Sequence, residues 1–324
     1  MKTINRRTAL AAATAMALAP GSSRAQAWPA KSVRWVVPYT AGGLTDSATR
    51  LTLEKINLGQ SFVVDNKPGA NSLIGAEIVA KSAPDGYTFL TVIAAHAANK
   101  TLYAGKLPFD PEKSFEPVSL VGIAPLILTV TNSLPVKNVA ELIAYAKANP
   151  GKISFGSSGV GAAAHLTSEL IKQVAGIQME HVPYKGTAPA LADLAAGNIQ
   201  MLIDAPIGVM SNVRAGKIRG LCMLSKERVP GADEVPTIVE AGGPLIESSS
   251  WAMFLAPAGT PKAIVDKMSS EVAQAVQSPE LKKRFAELAL IPAGYTPAET
   301  AKFLADEVEK WRKVITDAGV KVDS

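Results

Sequence analysis

The chain has 324 residues, which is long for a single ordinary core and comfortable for two domains. Hydrophobic residues make up 48% of the chain and charged residues 19%, a composition typical of a globular protein. The formal net charge is +5, but the first 27 residues carry four basic side chains and no acidic one, so that 29 basic and 28 acidic residues remain and no basic surface for nucleic acid or an anionic membrane is expected.

Residues 1–27 read as an export signal peptide. A basic "MKTINRR" precedes a short apolar run, and "RAQA" places small residues at Ala25 and Ala27. We therefore predict cleavage near Ala27, a mature chain that begins near Trp28, and a periplasmic location. The Arg6–Arg7 pair leaves the twin-arginine route open beside the general secretory route. After Trp28 no stretch approaches the about 20 apolar residues that a membrane-spanning helix needs.

Short β-rich runs alternate with helical patterns along the mature chain. In the first half, we predict strands at Val33–Val37, Phe62–Asp65 and Thr88–Ile93, and helices at Thr45–Ile56 and Ser72–Ser82. In the second half, the predicted strands are Leu126–Thr131, Ile153–Phe155, Met179–Val182, Ile199–Ile203 and Ile218–Leu224. The helices between them are Val139–Asn149, Ala162–Ala175, Thr187–Ala196 and Ile207–Ala215. This alternation predicts an α/β protein with two lobes, each a mainly parallel sheet flanked by helices.

The C-terminal end, from Thr260 onward, is predicted to be helical. Three helix starts combine an N-cap hydroxyl residue with a proline at the first helical position, and these pairs are Thr260–Pro261, Ser278–Pro279 and Thr296–Pro297. Glu299 adds a capping box to the last pair, and Gly319 ends that helix. Its apolar face consists of Leu304, Val308, Trp311 and Ile315.

Two glycine-rich turns lead from a strand into a helix, one in each predicted half. They are "PYTAGGLTD", from Pro38 to Asp46, and "GSSGVGAAAHL", from Gly156 to Leu166. In open α/β sheets, ligands bind beyond the carboxyl ends of the strands. The free N–H groups and the dipole of a helix N-terminus favour an anion there, and no arginine is needed. The alternative is that these glycines only make tight turns.

Neither turn carries a nucleotide fingerprint. A P-loop requires lysine followed by serine or threonine after its glycines, and both turns lack it. "GSSGVG" has the wrong spacing for a dinucleotide site, and Ser158 is followed two residues later by Val160 rather than by the glycine of a hydrolase elbow. These absences argue against a nucleotide site and a hydrolase elbow, and two turns of the same design, one in each half, favour a cleft between them.

Few polar side chains accompany these turns. Asp46 is expected either to contact a ligand donor or to cap its helix, and His165 either to face the ligand or to make a structural hydrogen bond. His96 and His181 are not spaced with an acid or a cysteine as metal ligands are, so we predict no metal and no cofactor.

Three further residues lie where the cleft edge of the second lobe is expected. Tyr184 and Lys185 occupy the turn "VPYKG", and Asp204 ends the strand in "MLIDAP". Ordinary turn chemistry is the alternative role for all three. Cys222, the single cysteine, has no partner for a disulfide within the chain and is expected in the core.

Seven motifs in chain order carry a family resemblance across the whole mature chain. They are "WPAKSVRWVVPYTAGGLTD", "VVDNKPGANSLIGAEIVAKSAPDGYTFL", "GSSGVGAAAHLTSELIK", "VPYKGTAPALADLAAGNIQMLID", "VPTIVEAGG", "APAGTPKAIVDKM" and "TPAETAKFLADEVEKWRKVITDAGVKVD". Together they resemble the solute-binding proteins of tripartite tricarboxylate transporters, the Bug (Bordetella uptake gene) family. The resemblance implies a type II-like periplasmic binding protein with lobe 1 at 28–127 and 250–324 and lobe 2 at 128–249.

The resemblance also implies a ligand clamped between the lobes by the two glycine turns and bridging waters. The ligand-binding residues carried over are Tyr39, Thr40, Ala41, Gly43, Thr45, Asp46, Ser157, Gly159, Val160, Gly161, Ala162, Ala163, His165 and Asp204. Two positions depart from the family pattern. Ala41 stands where a second proline is frequent, and Ala162 stands where a hydroxyl residue is frequent. The "NKPGAN" turn is interpreted as structural.

The leading functional hypothesis is a monomeric periplasmic protein that binds a small organic acid and delivers it to the membrane subunits of a tripartite transporter. An exported enzyme is the second hypothesis, with Ser157 and His165 as its candidate groups. A ligand-sensing partner of a membrane sensor kinase is the third, since it would share the fold and the ligand.

Overall fold

The computed structural model describes residues 28–322, so the predicted signal peptide lies outside the described residues. The strands are β1 (Val33–Val37), β2 (Phe62–Asn66), β3 (Thr88–Val92), β4 (Phe115–Pro125), β5 (Ile127–Val130), β6 (Ser154–Ser157), β7 (Glu180–Pro183), β8 (Met201–Asp204), β9 (Arg219–Met223), β10 (Ser249–Pro257) and β11 (Ile291–Pro292). The helices are α1 (Leu44–Glu54), α2 (Leu73–Ala80), α3 (Ala95–Leu102), α4 (Val139–Ala148), α5 (Ala163–Ala175), α6 (Thr187–Ala196), α7 (Pro206–Arg214), α8 (Lys262–Gln277), α9 (Pro279–Glu287) and α10 (Pro297–Ala318). The strands and helices predicted up to Leu224 are present within two residues of their expected bounds.

Two mixed sheets form the two lobes. The first has the strand order β11-β4-β10-β3-β1-β2, and the second β7-β6-β8-β5-β9. In the first sheet β1 runs parallel to β2 and β3, and the remaining pairs are antiparallel. In the second sheet β6 runs parallel to β7 and β8, and β5 is antiparallel to both of its neighbours.

The two-lobed α/β fold is confirmed, but the expectation of mainly parallel sheets is wrong. The antiparallel pairs all involve β4, β5 or β10. These strands adjoin the two crossings, which are the segments where the chain passes from one lobe to the other. At the first crossing, β4 of lobe 1 leads into β5 of lobe 2. At the second, the chain returns to lobe 1 as β10, which pairs with β4 from Ser249↔Pro125 to Pro257↔Phe115. The two crossings bond to each other, because Leu126 N–H donates to Ser248 O at 2.9 Å and Leu224 N–H donates to Leu126 O at 2.7 Å. The exact division of the chain into lobes stays a prediction.

Aromatic side chains fill the centre of lobe 1. Trp35 is fully buried and stacks on Phe89, with ring centroids 4.8 Å apart, and meets Phe254 edge-on at 4.5 Å. Its indole N–H donates to the buried hydroxyl of Thr91 at 2.8 Å. Since buried indole groups require a partner, this hydrogen bond fixes the orientation of the ring, and Thr49 of α1 shares the same Thr91 hydroxyl at 2.8 Å.

Helix α10 closes the fold by packing across α3, β4 and α5. The nearly buried carboxylate of Glu307 accepts hydrogen bonds from the indole N–H groups of Trp251 at 2.9 Å and Trp311 at 3.1 Å. The predicted capping box of Thr296 with Glu299 and the end at Gly319 are confirmed. A helix from one end of the chain thus contacts both lobes.

Of the three predicted helix starts, one is displaced. The cap at Ser278 is confirmed, and its side chain accepts from Leu281 N–H. The expectation of Thr260 as N-cap is wrong, because α8 begins at Lys262 with Pro261 at the N-cap position. The Thr260 hydroxyl instead donates to Pro257 O at 2.7 Å and is used by the preceding turn.

Cys222 is fully buried in β9, as expected, and we predict that its thiol is inert in the native protein. Burial raises the pKa of this thiol to about 12, so almost no reactive thiolate exists at neutral pH. Iodoacetamide should leave the native protein unmodified at pH 8 and label it completely in urea, as followed by intact-mass spectrometry. Rapid labelling of the native protein would contradict the burial.

Candidate ligand-binding site

A cavity of about 450 Å³ lies between the lobes and is lined by residues from both. From lobe 1 come the turn between β1 and α1 and the turn between β3 and α3. From lobe 2 come the turns that precede α5, α6 and α7. Leu126 and Ser250, which lie at the crossings between the lobes, complete the wall.

Five helices present their first turns to this cavity, and none of them has a side-chain cap. Their N-cap residues are Gly43 for α1, Ala94 for α3, Ala162 for α5, Gly186 for α6 and Ala205 for α7. Side chains cap the N-termini of α4, α9 and α10, none of which lines the cavity, whereas α2 and α8 lack a side-chain cap and also lie outside it. The first N–H groups of a helix have no partner within the helix. The cavity is therefore bordered by helix starts and by the positive ends of helix dipoles. Not every N–H there is free: those of His96 and Gly208 donate to Ile93 O and Ala205 O, and α7 begins with Pro206, which has no N–H.

The first glycine turn is braced by Asp46 from behind. Its carboxylate accepts from Gly42 N–H, from the Arg50 guanidinium and from the Asn66 amide, each at 3.0 Å. Burial raises the pKa of this carboxyl, but those three hydrogen bonds outweigh burial and hold the pKa below its usual value. Asp46 is 3% exposed and lies outside the cavity lining, so its visible role is to fix the turn.

The residues carried over from the family resemblance divide into two groups. Those in the cavity wall are Tyr39, Thr40, Gly43, Thr45, Gly159, Ala162, Ala163 and Asp204. Those outside it are Ala41, Asp46, Ser157, Val160, Gly161 and His165. Ala41 is exposed, whereas Ser157, Gly161 and His165 are buried on the side of the second turn that faces away from the cavity. Ligand contact by either group stays a prediction.

Asp204 lies in the lobe 2 wall, at the start of α7. Its carboxylate accepts from the Thr187 hydroxyl at 2.6 Å and from Ala205 N–H at 2.7 Å. Burial raises the pKa of this carboxyl, and the two hydrogen bonds oppose that shift in part. Tyr184 and Lys185, which were candidates for the same edge, do not line the cavity. The Tyr184 hydroxyl donates to Asp193 at 2.6 Å and the Lys185 side chain is exposed, as ordinary turn chemistry predicts.

Several lining residues were not expected from the sequence. They are Gly42, Leu44, Asn71, Ile93, Ala94, Ala95, Leu126, Ser158, Ala164, Gly186, Thr187, Ala205, Ile207, Gly208 and Ser250. Asn71 belongs to the "NKPGAN" turn, where Ala70, Asn71 and Ser72 all have positive φ. A run of such angles in residues other than glycine is unusual, and it frequently marks a functional segment. Asn71 and Asn99 hold this turn against α3 with reciprocal hydrogen bonds of 2.8 and 2.9 Å.

Backbone groups dominate the chemistry of the wall. The described lining residues include no lysine, arginine or histidine, and their titratable side chains are Tyr39 and Asp204. Burial raises the pKa of Tyr39 to about 12, so this phenol is neutral. Within residues 28–322 no cluster of three or more histidine, cysteine, aspartate or glutamate side chains suits a metal ion. Over the same range, no helix combines the length and the apolar character needed to cross a bilayer.

Comparison with known proteins assigns the chain to a family. A family model described as "Tripartite tricarboxylate transporter family receptor" matches residues 49–320. The chain belongs to this family. It is 36% identical to Protein BugT of Bordetella pertussis over 315 residues, which cover 96% of the chain and 95% of BugT.

Two solved structures of this family contain acids. The Rhodopseudomonas palustris protein Rpa4515, solved with adipate, is 39% identical, with a TM-score of 0.83 over 91% of this chain and 99% of that one. MatC from the same organism, solved with bound malate, is 30% identical, with a TM-score of 0.77 over 89% of this chain and all of that one. The resemblance to the Bug family and the periplasmic-binding-protein fold are thereby confirmed.

Proposed function

We propose that this protein is an extracytoplasmic solute-binding protein that captures a small organic acid between its lobes for delivery to the membrane subunits of a tripartite transporter. Export with cleavage near Ala27 and a monomeric state are parts of the same proposal. The observation that carries it is the convergence of five uncapped helix N-termini on one cavity.

The energetics of these donors favour capture by several helix starts together. A hydrogen bond from a backbone N–H to a carboxylate contributes about 1.5–3 kcal/mol, and a helix dipole about 0.3–1 kcal/mol. Because association costs at least about 4 kcal/mol in translational and rotational freedom, the about −8 kcal/mol of micromolar affinity requires four or more such bonds. The cavity volume of about 450 Å³ suits a small organic acid.

The cavity supports binding better than catalysis. The Ser157 hydroxyl, the candidate nucleophile, is buried outside the wall, with His181 Nε2 at 2.7 Å and Gly159 O at 3.0 Å. His165, the candidate base, accepts the N–H of Gly161 at its Nδ1 and lies behind the same turn. Neither group reaches the space that a substrate would occupy.

A carboxylate panel tests the proposal on protein purified from a periplasmic extract, whose N-terminal sequence also tests cleavage after Ala27. Adipate, malate, glutamate and benzoate are compared by thermal shift, with adipamide as the uncharged match for adipate. An acid present at about 100 times its Kd should stabilise the fold by about 2.7 kcal/mol, and adipamide should have no effect. Equal stabilisation by adipamide, or no response to any acid, would contradict the proposal.

A further inference from the structure

Two histidines are stacked directly behind the second glycine turn. The imidazole rings of His165 and His181 are 8° from parallel, with centroids 3.8 Å apart. Phe155 extends the stack on the His181 side at 5.0 Å. His165 is 5% exposed, and none of the three rings lines the cavity. The stack therefore lies outside the ligand-binding wall.

The hydrogen bond from the turn to His165 fixes the proton on that ring. Gly161 N–H donates to His165 Nδ1 at 3.1 Å, so this nitrogen carries no proton and the neutral ring is protonated at Nε2. The Nε2 atom faces the Glu169 carboxylate at 3.9 Å, and Glu169 is in turn paired with Lys172 at 2.9 Å. A second proton on Nδ1 would oppose the N–H of Gly161 and break the contact.

The second ring reaches the same turn through Ser157. The Ser157 hydroxyl lies 2.7 Å from His181 Nε2 and 3.0 Å from Gly159 O, and it accepts from Gly159 N–H at 3.3 Å. One hydroxyl has one proton to donate. All three contacts are satisfied when His181 donates from Nε2 to Ser157 and Ser157 donates to Gly159 O. Three alternate residues of the turn, 157, 159 and 161, are thus held by the two rings.

We propose that His165 and His181, as a neutral stacked pair, are positioning residues that hold the second turn so that the N–H groups at the start of α5 face the cavity. The binding consequence rests on the function proposed above, whereas the positioning itself does not. Burial is the largest cause that lowers the pKa of both rings, to about 3 for His165 and about 4 for His181, which agrees with two neutral imidazoles.

The protonation pattern is tested without any ligand. The chain has three histidines, so a long-range 1H–15N spectrum of the imidazoles is readily assigned by single substitutions. At pH 7 the rings of His165 and His181 should both be neutral and protonated at Nε2. A proton on Nδ1 of His165, or a positive charge on either ring, would overturn the proposal.

A pair of substitutions separates positioning from packing. His165→Asn keeps an acceptor near the Nδ1 position and loses the ring, whereas His165→Phe keeps a stacked ring and loses the acceptor. In the ligand-free protein, amide exchange of residues 158–164 should accelerate at least tenfold in His165→Phe and less than threefold in His165→Asn. Gln173→Ala, an exposed change on α5, is the control and should behave as wild type.

Affinity for adipate, or for malate if wild-type protein shows no adipate response, should fall at least tenfold in His165→Phe and less than threefold in His165→Asn. If His165 acted only through packing, His165→Asn would lose more affinity than His165→Phe. That order, or unchanged amide exchange in His165→Phe, would overturn the proposal. If no acid binds wild-type protein, the proposed function fails, and the spectrum and the exchange rates still decide the positioning.

Discussion

Gly43→Val should weaken carboxylate binding at least a hundredfold while leaving the fold intact. Gly43 has φ −78° and ψ 178°, extended angles that valine adopts readily, so the change introduces no backbone strain. A Cβ built there meets nothing closer than Thr40 O at 4.0 Å. Because Gly43 lines the cavity at the N-cap of α1, the new methyl groups would lie in front of the free N–H groups of that helix.

The same turn offers a matched control. Ala41 is exposed and does not line the cavity, so Ala41→Val adds a similar volume outside the site and should leave affinity within twofold. Isothermal titration with the best acid of the panel measures both variants, and circular dichroism melts check their folding. Equal binding by Gly43→Val and wild type would show that the ligand does not approach α1.

Lys185→Ala separates backbone recognition from a charge clamp. The Lys185 side chain is exposed and lies outside the wall, so its removal should change affinity by less than threefold. A loss above about 3 kcal/mol in this variant would be the magnitude of a charged hydrogen bond to the ligand. That result, together with normal binding by Gly43→Val, would overturn the account based on backbone donors.

The strand–helix alternation was predictable because glycine, proline and capping residues separate most elements of this chain. Strands β4 and β10 were missed for physical reasons. β10, "SSWAMFLAP", is buried along nearly its whole length, so it lacks the alternation that distinguishes a strand from a buried helix. β4 contains Pro117 at its start and ends at Pro125, and proline lowers the expectation of a strand.

Helix α3 was missed for a reason that bears on the site. Its N-cap is Ala94, and helix starts are recognised in a sequence by the serine, threonine, aspartate or asparagine that caps them. A side-chain cap would place a further side chain at the point where α3 meets the cavity, where the N–H of His96 already donates to Ile93 O. The lack of a cap therefore keeps the cavity wall open and also hides the helix from sequence reasoning.

The glycine turns were identified from the sequence, but the full wall was not. The turns before α6 and α7 were expected at the cleft edge through Tyr184, Lys185 and Asp204, but the N-terminus of α3 and the crossing residues Leu126 and Ser250 were not. The position of the crossing residues depends on the strand order that brings β4 beside β10. That order depends on pairings between residues more than a hundred positions apart, such as Ser249 with Pro125. Local patterns do not encode such pairings.

Acidification from pH 7 to pH 5 should lower the free energy of unfolding of the ligand-free protein by about 4 kcal/mol, since all three histidines are held neutral in the fold. Burial is the largest cause in each case, and it lowers the pKa to about 4 for His96, about 3 for His165 and about 4 for His181. In the unfolded chain a histidine has a pKa of about 6.5. Between these values the unfolded state binds more protons, so stability rises with pH and is lost on acidification.

The size of this effect follows from the three histidine pKa shifts. The partial exposure of His181 and the raised pKa of Asp204 both reduce it. A fully buried histidine with such a shift loses about 1.8 kcal/mol between pH 7 and pH 5, and the part-exposed His181 contributes less. Asp204, whose pKa is raised in the fold, works in the opposite sense. Carboxyls with a lowered pKa, such as Asp46, lose their stabilisation only as the pH falls through about 4, below this window.

Urea unfolding at pH 7, 6 and 5 measures the dependence, and His96→Gln is the matched variant. His96 is fully buried in α3, where its Nε2 lies 2.8 Å from Pro111 O, and Gln keeps an amide near that atom without titrating. The variant should lose stability at every pH but show a pH dependence smaller by nearly half, about 1.8 of the about 4 kcal/mol. A free energy of unfolding that stays constant from pH 7 to pH 5 in wild-type protein would mean that the three rings titrate normally, and the neutral stack behind the second turn would then fail as well.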